Sequence, residues 1–308
     1  MSRVDGRTAT ALRPLELSLS VLSRVDGSAK FAFGNVSVLA SLTGPTEVRI
    51  RDELVHTATF EVNVRPLRGL PGPSSKTAEM QLSSLLTPLI LLQSYPRSLI
   101  QLTVQTMSSP TTAFSKPVST VPTSSTFDSA ATTGSAADVV RHEPVYGTGR
   151  GTSESAARIN AAMLALVDAG VSSRGMLIAV AVAFVPTKEG SGVNEDAATE
   201  MMLDPTPDEE SRSVSCHLFA FSFGVGVGGV EGEGVGVESV GRFDEDELID
   251  AQATAQKAAQ AVLAFVRKSL EAKYGVEGGP EPAQVKSTSG RRQVDDGEDE
   301  DLEMEDAK

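Results

Sequence analysis

Two periodicities alternate along this chain, and a fold has to satisfy both. Leu15, Leu17, Leu19 and Val21 alternate with Glu16, Ser18 and Ser20, a period of two that sets the apolar side chains on one face of a strand. Ala58, Phe60, Val62 and Val64 repeat the pattern against Thr57, Thr59, Glu61, Asn63 and Arg65, and Ile100, Leu102 and Val104 do so again. Residues 31–33 and 36–42 read as further strands, with a hairpin turn at Val25-Asp26-Gly27 and a stop at Gly44-Pro45. The expected arrangement is a meander.

After a break at residues 69–73 the spacing becomes helical. Met80, Leu82, Leu85, Leu86, Leu89, Ile90 and Leu92 recur almost all round a helix over 77–93, which predicts burial on most sides and a kink or interruption at Pro88. A second helix from Thr152 carries Ala156, Ile159, Ala162, Met163, Leu166 and Val167 on a stripe and closes at Gly170. A third spans 243–274, with Asp244 as N-cap and Leu248, Ala251, Ala255, Ala259, Val262, Val266 and Leu270 along one face. Residues 176–185 and 214–223 read as buried strands. The order of strands, helix, strand, helix, strands, helix predicts an α+β fold of packed sheets and helices.

Composition narrows the class. Cys216 is the single cysteine among 308 residues, so a disulfide framework is excluded and a zinc site lacks ligands, which leads to the expectation of a reducing, intracellular setting. Residues 1–10 have no apolar stretch of the kind a secretory signal needs. The longest apolar run, 176–185, is about half of a membrane-spanning helix, so a soluble chain without a membrane contact is expected. Formal charge is −14. Residues 293–308 hold nine carboxylates and one Lys, or −8, leaving −6 for the rest. This balance excludes a basic nucleic-acid grip over the whole surface and leaves room for a local one.

Residues 108–150 contain 16 Ser or Thr among 43, with four scattered prolines, and read as a flexible insertion. A second polar excursion covers 187–199, and 275–308 reads as a disordered acidic tail. Gly224, Gly226 and Gly229 spell GxGxxG, but Val230-Glu231-Gly232-Glu233-Gly234 follows instead of a helix, so a Gly-rich loop over about 224–241 is expected in place of a dinucleotide site. No phosphate-cradling GxxxxGK[ST] exists, which disfavours a small-molecule kinase. His56, His142 and His217 show no metal-ligand spacing. Cys216 and His217 are neighbours on a strand and so face opposite ways. Arg65, Arg68, Lys76 and Arg97 lie at the ends of consecutive elements and are candidate RNA-binding residues that could converge on one edge, with solvated loop charges as the alternative.

Arg13-Pro14-Leu15, Ser23-Arg24-Val25-Asp26-Gly27-Ser28-Ala29, Gly44-Pro45, Val64-Arg65-Pro66, Tyr95-Pro96-Arg97 and Asn160-Ala161-Ala162-Met163-Leu164-Ala165-Leu166-Val167-Asp168-Ala169-Gly170 together resemble the ribonuclease PH family, and within it the ring subunits of the eukaryotic RNA exosome. The likeness covers most of 13–274 outside the two insertions and the Gly-rich stretch, after an N-terminal extension at 1–12. It implies a ribosomal-protein-S5-domain-2-like fold and pairing with related subunits in a heterohexameric ring with cap subunits. It also implies single-stranded RNA as the partner and the nucleus, nucleolus and cytoplasm as compartments.

Active relatives degrade RNA from the 3′ end by phosphorolysis, which needs a held phosphate and carboxylates that place Mg²⁺. The resemblance puts the family's phosphate-binding Thr-Arg pair, counted back without gaps, on Glu154-Ser155. A carboxylate there repels phosphate, and Arg158, one turn on, could compensate in part. The family's two metal-holding aspartates fall on Asp204 and Glu210, of which the alternative reading is an exposed loop shared with Asp208 and Glu209. The expectation is therefore a non-catalytic ring subunit with no metal or other cofactor of its own. The competing expectation is a 3′-to-5′ exoribonuclease acting through Asp204 and Glu210.

Overall fold

The first three strands pair as their alternation requires. β1 (Leu15–Leu19), β2 (Gly27–Phe33) and β3 (Val36–Glu47) run antiparallel in sequence order. The structure, a computed structural model, describes residues 3, 5–109, 151–186, 199–224 and 229–275. The bulk of the two expected insertions, His142, Gly226 and the acidic tail lie outside those residues.

β3 does not stop at Gly44-Pro45 as expected but continues to Glu47 through a register shift between Thr43 and Thr46. Gly44 has φ +135°, and a Cβ there would lie 2.5 Å from the Leu99 carbonyl oxygen. Glycine makes this bulge feasible, so a residue pair that signals a stop instead bends a strand.

The expected meander is broken by β4 (Thr59–Arg65) and β5 (Ser98–Ser108). β5 inserts between β3 and β4, antiparallel to the first and parallel to the second, giving the order β1-β2-β3-β5-β4. Parallel neighbours need a crossover, which α1 (Pro73–Leu86) supplies. α1 begins on a proline, tolerated in a first turn where no amide partner is lost. It ends before Pro88, which terminates the helix instead of kinking it, because proline lacks the amide and crowds the residue before it. Ala78, Leu82, Leu85 and Leu86 are buried while Met80 is exposed, so one face is covered rather than most sides.

The second sheet has the order β7-β6-β8-β9, built from β6 (Met176–Pro186), β7 (Thr199–Leu203), β8 (Ser215–Gly224) and β9 (Gly229–Gly241). β9 corrects the expected Gly-rich loop: most of that stretch is an edge strand paired antiparallel with β8. Its glycines permit close packing, since a Cβ on Gly232 would sit 2.4 Å from Phe223 Cε1 and one on Gly236 2.6 Å from Leu85 Cδ2.

α2 (Thr152–Asp168) lies between the two sheets, touching β2 and β3 on one side and β6 and β8 on the other. It is therefore buried nearly all round, beyond the stripe its spacing indicated, with Ala157, Ala161, Leu164 and Ala165 as inaccessible as the stripe itself. α4 (Glu245–Tyr274) packs against β6, β8 and β9, and the Asp244 amide donates to Glu247 Oε2 at 3.3 Å where its helix begins. The apolar side chains of both sheets and these helices join in one core. Among the described residues no helix is long and apolar enough to cross a membrane.

Candidate functional site

The first turn of α2, the end of β5 and the corner between β7 and the short helix α3 (Pro207–Arg212) meet under the N-terminal segment. Ionised side chains buried together must be paired, because desolvation costs each several kcal/mol. Here the partners come from distant segments. Arg13 donates from Nε to Asp204 Oδ2 at 2.9 Å and from Nη2 to Oδ1 at 2.5 Å. Its backbone amide also donates to Oδ2 at 2.9 Å. Arg3 forks onto Glu209 at 2.9 and 2.7 Å and reaches the Leu203 and Asp204 carbonyl oxygens at 2.9 and 3.1 Å. Burial opposes ionisation of Glu209, but Arg3 and the Thr206 amide outweigh it and hold its carboxyl below the usual range.

Glu210 sits on the N-terminus of α2. Its Oε1 accepts from Thr152 Oγ1 at 2.9 Å and from the Ser153 amide at 2.8 Å. Burial pushes its carboxyl up to about 8, against the pull of these donors and of Arg13. Ser153 Oγ accepts from the Arg13 guanidinium and donates to Asp204 Oδ1 at 3.4 Å. Asp204 and Glu210 are 1% and 4% exposed, which corrects the exposed-loop alternative: the Arg13 pair and the helix donors draw both inward.

Glu154, in the same first turn, accepts from Thr106 Oγ1 at 2.7 Å and pairs with the guanidinium of Arg158. Burial opposes its ionisation, but Arg158 and the hydroxyl partners prevail and hold it below the usual carboxylate range. Arg158 also reaches Ser155 Oγ at 3.4 Å. The Ser155 amide donates to the Gly151 carbonyl at 2.8 Å, as an ordinary helical bond. Glu154 and Ser155 thus share the first turn of α2 with Thr152 and Ser153, which bond Glu210 and Asp204. Arg158 is engaged with Glu154 in place of compensating for it. Asp204, Glu209 and Glu154 each hold an arginine, so the cluster is internally neutralised.

The basic residues do not converge. Arg65, Arg68 and Lys76 are exposed near the end of β4 and the start of α1, Lys76 pairing with Glu79 at 2.5 Å. Arg97 precedes β5, and because β4 and β5 are parallel, with Thr59 opposite Leu99 and Arg65 opposite Gln105, it stands at the other end of the sheet, about 25 Å away along the strands. The spacing could have brought them to one edge; parallel pairing separates them into two. Arg97 instead donates its amide to the Leu54 carbonyl and pairs with Glu53 at 3.4 Å. It thereby adjoins an exposed excursion bearing Arg49, Ile50 and Arg51, which the sequence reading missed because it follows no period.

The remaining candidates are structural. His56 is exposed. His217 is buried among Phe184, Phe219 and Phe243, its ring nitrogens meeting Ser239 and Ser215 hydroxyls at 2.8 and 3.2 Å. Cys216 is buried within hydrogen-bonding distance of Ser213 Oγ.

Comparison with known proteins agrees with this architecture. Exosome complex component RRP46 of Saccharomyces cerevisiae is 28% identical over 262 residues, covering 83% of this chain and 95% of that protein. Exosome complex component Rrp41 of Archaeoglobus fulgidus is 26% identical over 292 residues, covering 92% and 91%. The crystal structure of rice (Oryza sativa) Rrp46 superposes with a TM-score of 0.65 over 87% of this chain and all of that one, at 22% identity, a likeness of fold. The ribonuclease PH model, described as the 3′ exoribonuclease family, domain 1, matches residues 11–172, from the Arg13 strand entry through the end of α2. With more than half its length matched to that model, and both sheets folded around the helix that the match ends on, the chain belongs to the ribonuclease PH family.

Proposed function

We propose that the chain is a non-catalytic subunit of an RNA exosome ring, supporting 3′-to-5′ RNA processing and degradation, rRNA maturation included, without cleaving RNA itself. Similarity to proteins named as exosome complex components in Saccharomyces cerevisiae and Schizosaccharomyces pombe supports the membership. Its partners are then ribonuclease PH-like paralogues in a six-membered ring with cap subunits, and single-stranded RNA, in the nucleus and nucleolus and also in the cytoplasm.

One observation supports the loss of catalysis: Glu154, onto which the resemblance counts the family's phosphate-binding pair, is an acidic residue paired with Arg158. The pair has no net charge to offer a phosphate, whereas a free guanidinium about 4 Å from one would contribute about 4 kcal/mol per unit charge at an effective dielectric near 20. RNA contact falls instead to exposed cations at two places, Arg65, Arg68 and Lys76 at one end of the sheet and Arg97 at the other, where guanidinium groups hold phosphodiester oxygens.

The test is incubation of the purified subunit with single-stranded RNA, Mg²⁺ and phosphate. No nucleoside diphosphate is expected; release that Asp204→Ala abolishes overturns the reading. Mass spectrometry of a tagged copy recovered from cells should identify ribonuclease PH-like paralogues in equal amounts, and their absence excludes ring membership.

A further inference from the structure

The family likeness implies Mg²⁺ on Asp204 and Glu210, and the residues present do not fit it. Magnesium needs near-octahedral oxygen ligands at about 2.0–2.1 Å. Asp204 Oδ2 already accepts from the Arg13 amide and Nε, and Oδ1 from Arg13 Nη2 and Ser153 Oγ. The guanidinium engages both oxygens at once, across the edge of the carboxylate that a cation would use. Glu210 Oε1 is turned onto Thr152 and the Ser153 amide. Among the described residues no three His, Cys, Asp or Glu side chains converge as a metal ion would require.

We infer that Arg13 and Arg3, delivered by the N-terminal segment, are the resident counter-ions of this acidic corner, in the place a divalent cation would take. The inference deepens the non-catalytic reading and rests on it for the identity of the corner. Both guanidinium groups are buried, Arg3 at 5% and Arg13 at 5% exposure, and arginine does not lose its proton in proteins, so neither charge can be withdrawn to admit a metal. Arg3 also accepts no rival: its remaining donors hold the Leu203 and Asp204 carbonyl oxygens and strap the segment across the start of the corner. The charges are supplied from 191 and 206 residues away in sequence, so folding of the N-terminal segment and neutralisation of the corner are one event.

The probe is Mn²⁺, with full-length protein throughout. Wild type and Asp204→Asn should bind the same amount of Mn²⁺, since Arg13 and Ser153 already occupy both Asp204 oxygens. Arg13→Met should lower the melting temperature by roughly 5–10 °C, because it leaves a buried carboxylate uncompensated. Mn²⁺ should restore part of that loss. Arg13→Met/Asp204→Leu should regain the loss without metal and no longer respond to Mn²⁺. Arg13→Met that melts like wild type overturns the inference. So does a wild-type crystal grown with Mn²⁺ that shows an anomalous peak at bonding distance from Asp204, whatever the variants do. Such a peak in a chain that still releases no nucleoside diphosphate removes the counter-ion inference alone; release of nucleotides removes the functional reading.

Discussion

Asn160, midway along α2, holds both backbone groups of Ala179 on β6: its Nδ2 donates to the Ala179 carbonyl at 3.0 Å, and the Ala179 amide donates to its Oδ1 at 2.7 Å. β7 pairs with β6 only from Val182 onward, so this amide side chain does the work of an absent strand. Both groups are inaccessible to water, and an unmet buried amide or carbonyl costs about 1–3 kcal/mol. Asn160→Ala should therefore lose about 2–4 kcal/mol, read as a lower denaturant midpoint in equilibrium unfolding. An unchanged midpoint would mean that water reaches Ala179.

Glu210 makes the fold sensitive to alkali. Its carboxyl is raised to about 8 from an ordinary 4.5, so the folded state keeps a proton that the unfolded chain has released. The associated stability is fully present below about pH 4.5 and is lost as pH rises through about 8. Glu210→Gln keeps an acceptor for the Thr152 and Ser153 donors without the charge. Unfolding midpoints compared at pH 5 and pH 9 should fall for wild type and stay nearly level for the variant, a difference on the order of a few kcal/mol. Parallel pH profiles would remove Glu210 as the cause.

Asp168 acts at the opposite end of the scale and of α2. Burial resists its ionisation, but Lys273, the Ser28 amide, Tyr274 and Ser20 together hold its carboxyl at about 2. This contribution is present above the ordinary carboxylate range and disappears as pH falls through about 2. The cluster is partly open to water, as Lys273 is, so screening reduces its worth. Asp168→Asn should cost about 1–2 kcal/mol at neutral pH and flatten the acid limb of the stability profile. It should also speed hydrogen exchange at the last turn of α4, which Lys273 and Tyr274 tie to Asp168.

The two basic edges should act independently. In an assembled ring, Arg65→Ala with Arg68→Ala should weaken single-stranded RNA binding several-fold and lower the salt dependence by about one to two units of slope. Arg97→Ala should do the same to a smaller extent, since Glu53 already engages it. With the two ends about 25 Å apart, the losses in binding free energy should add. Strong non-additivity in filter-binding assays would place all of these cations on one RNA segment.

The local features of this protein are legible in the sequence because their causes are local. The strand faces at 15–19 and 59–65, the burial of 176–186, the start of α4 at Asp244 and the halt before Pro88 follow from side-chain period, capping chemistry and a missing amide. What the tertiary structure decided depends on partners that no local pattern encodes. β5 lies parallel to β4, which separates Arg97 from Arg65. The Gly-rich stretch pairs with β8 as a strand, and Gly232 and Gly236 let it lie close against Phe223 and Leu85. Asp204, onto which the resemblance places a metal-holding position, is held by an arginine 191 residues away, because the lowest-energy partner for a buried charge is chosen by proximity in the folded chain and not by distance along it.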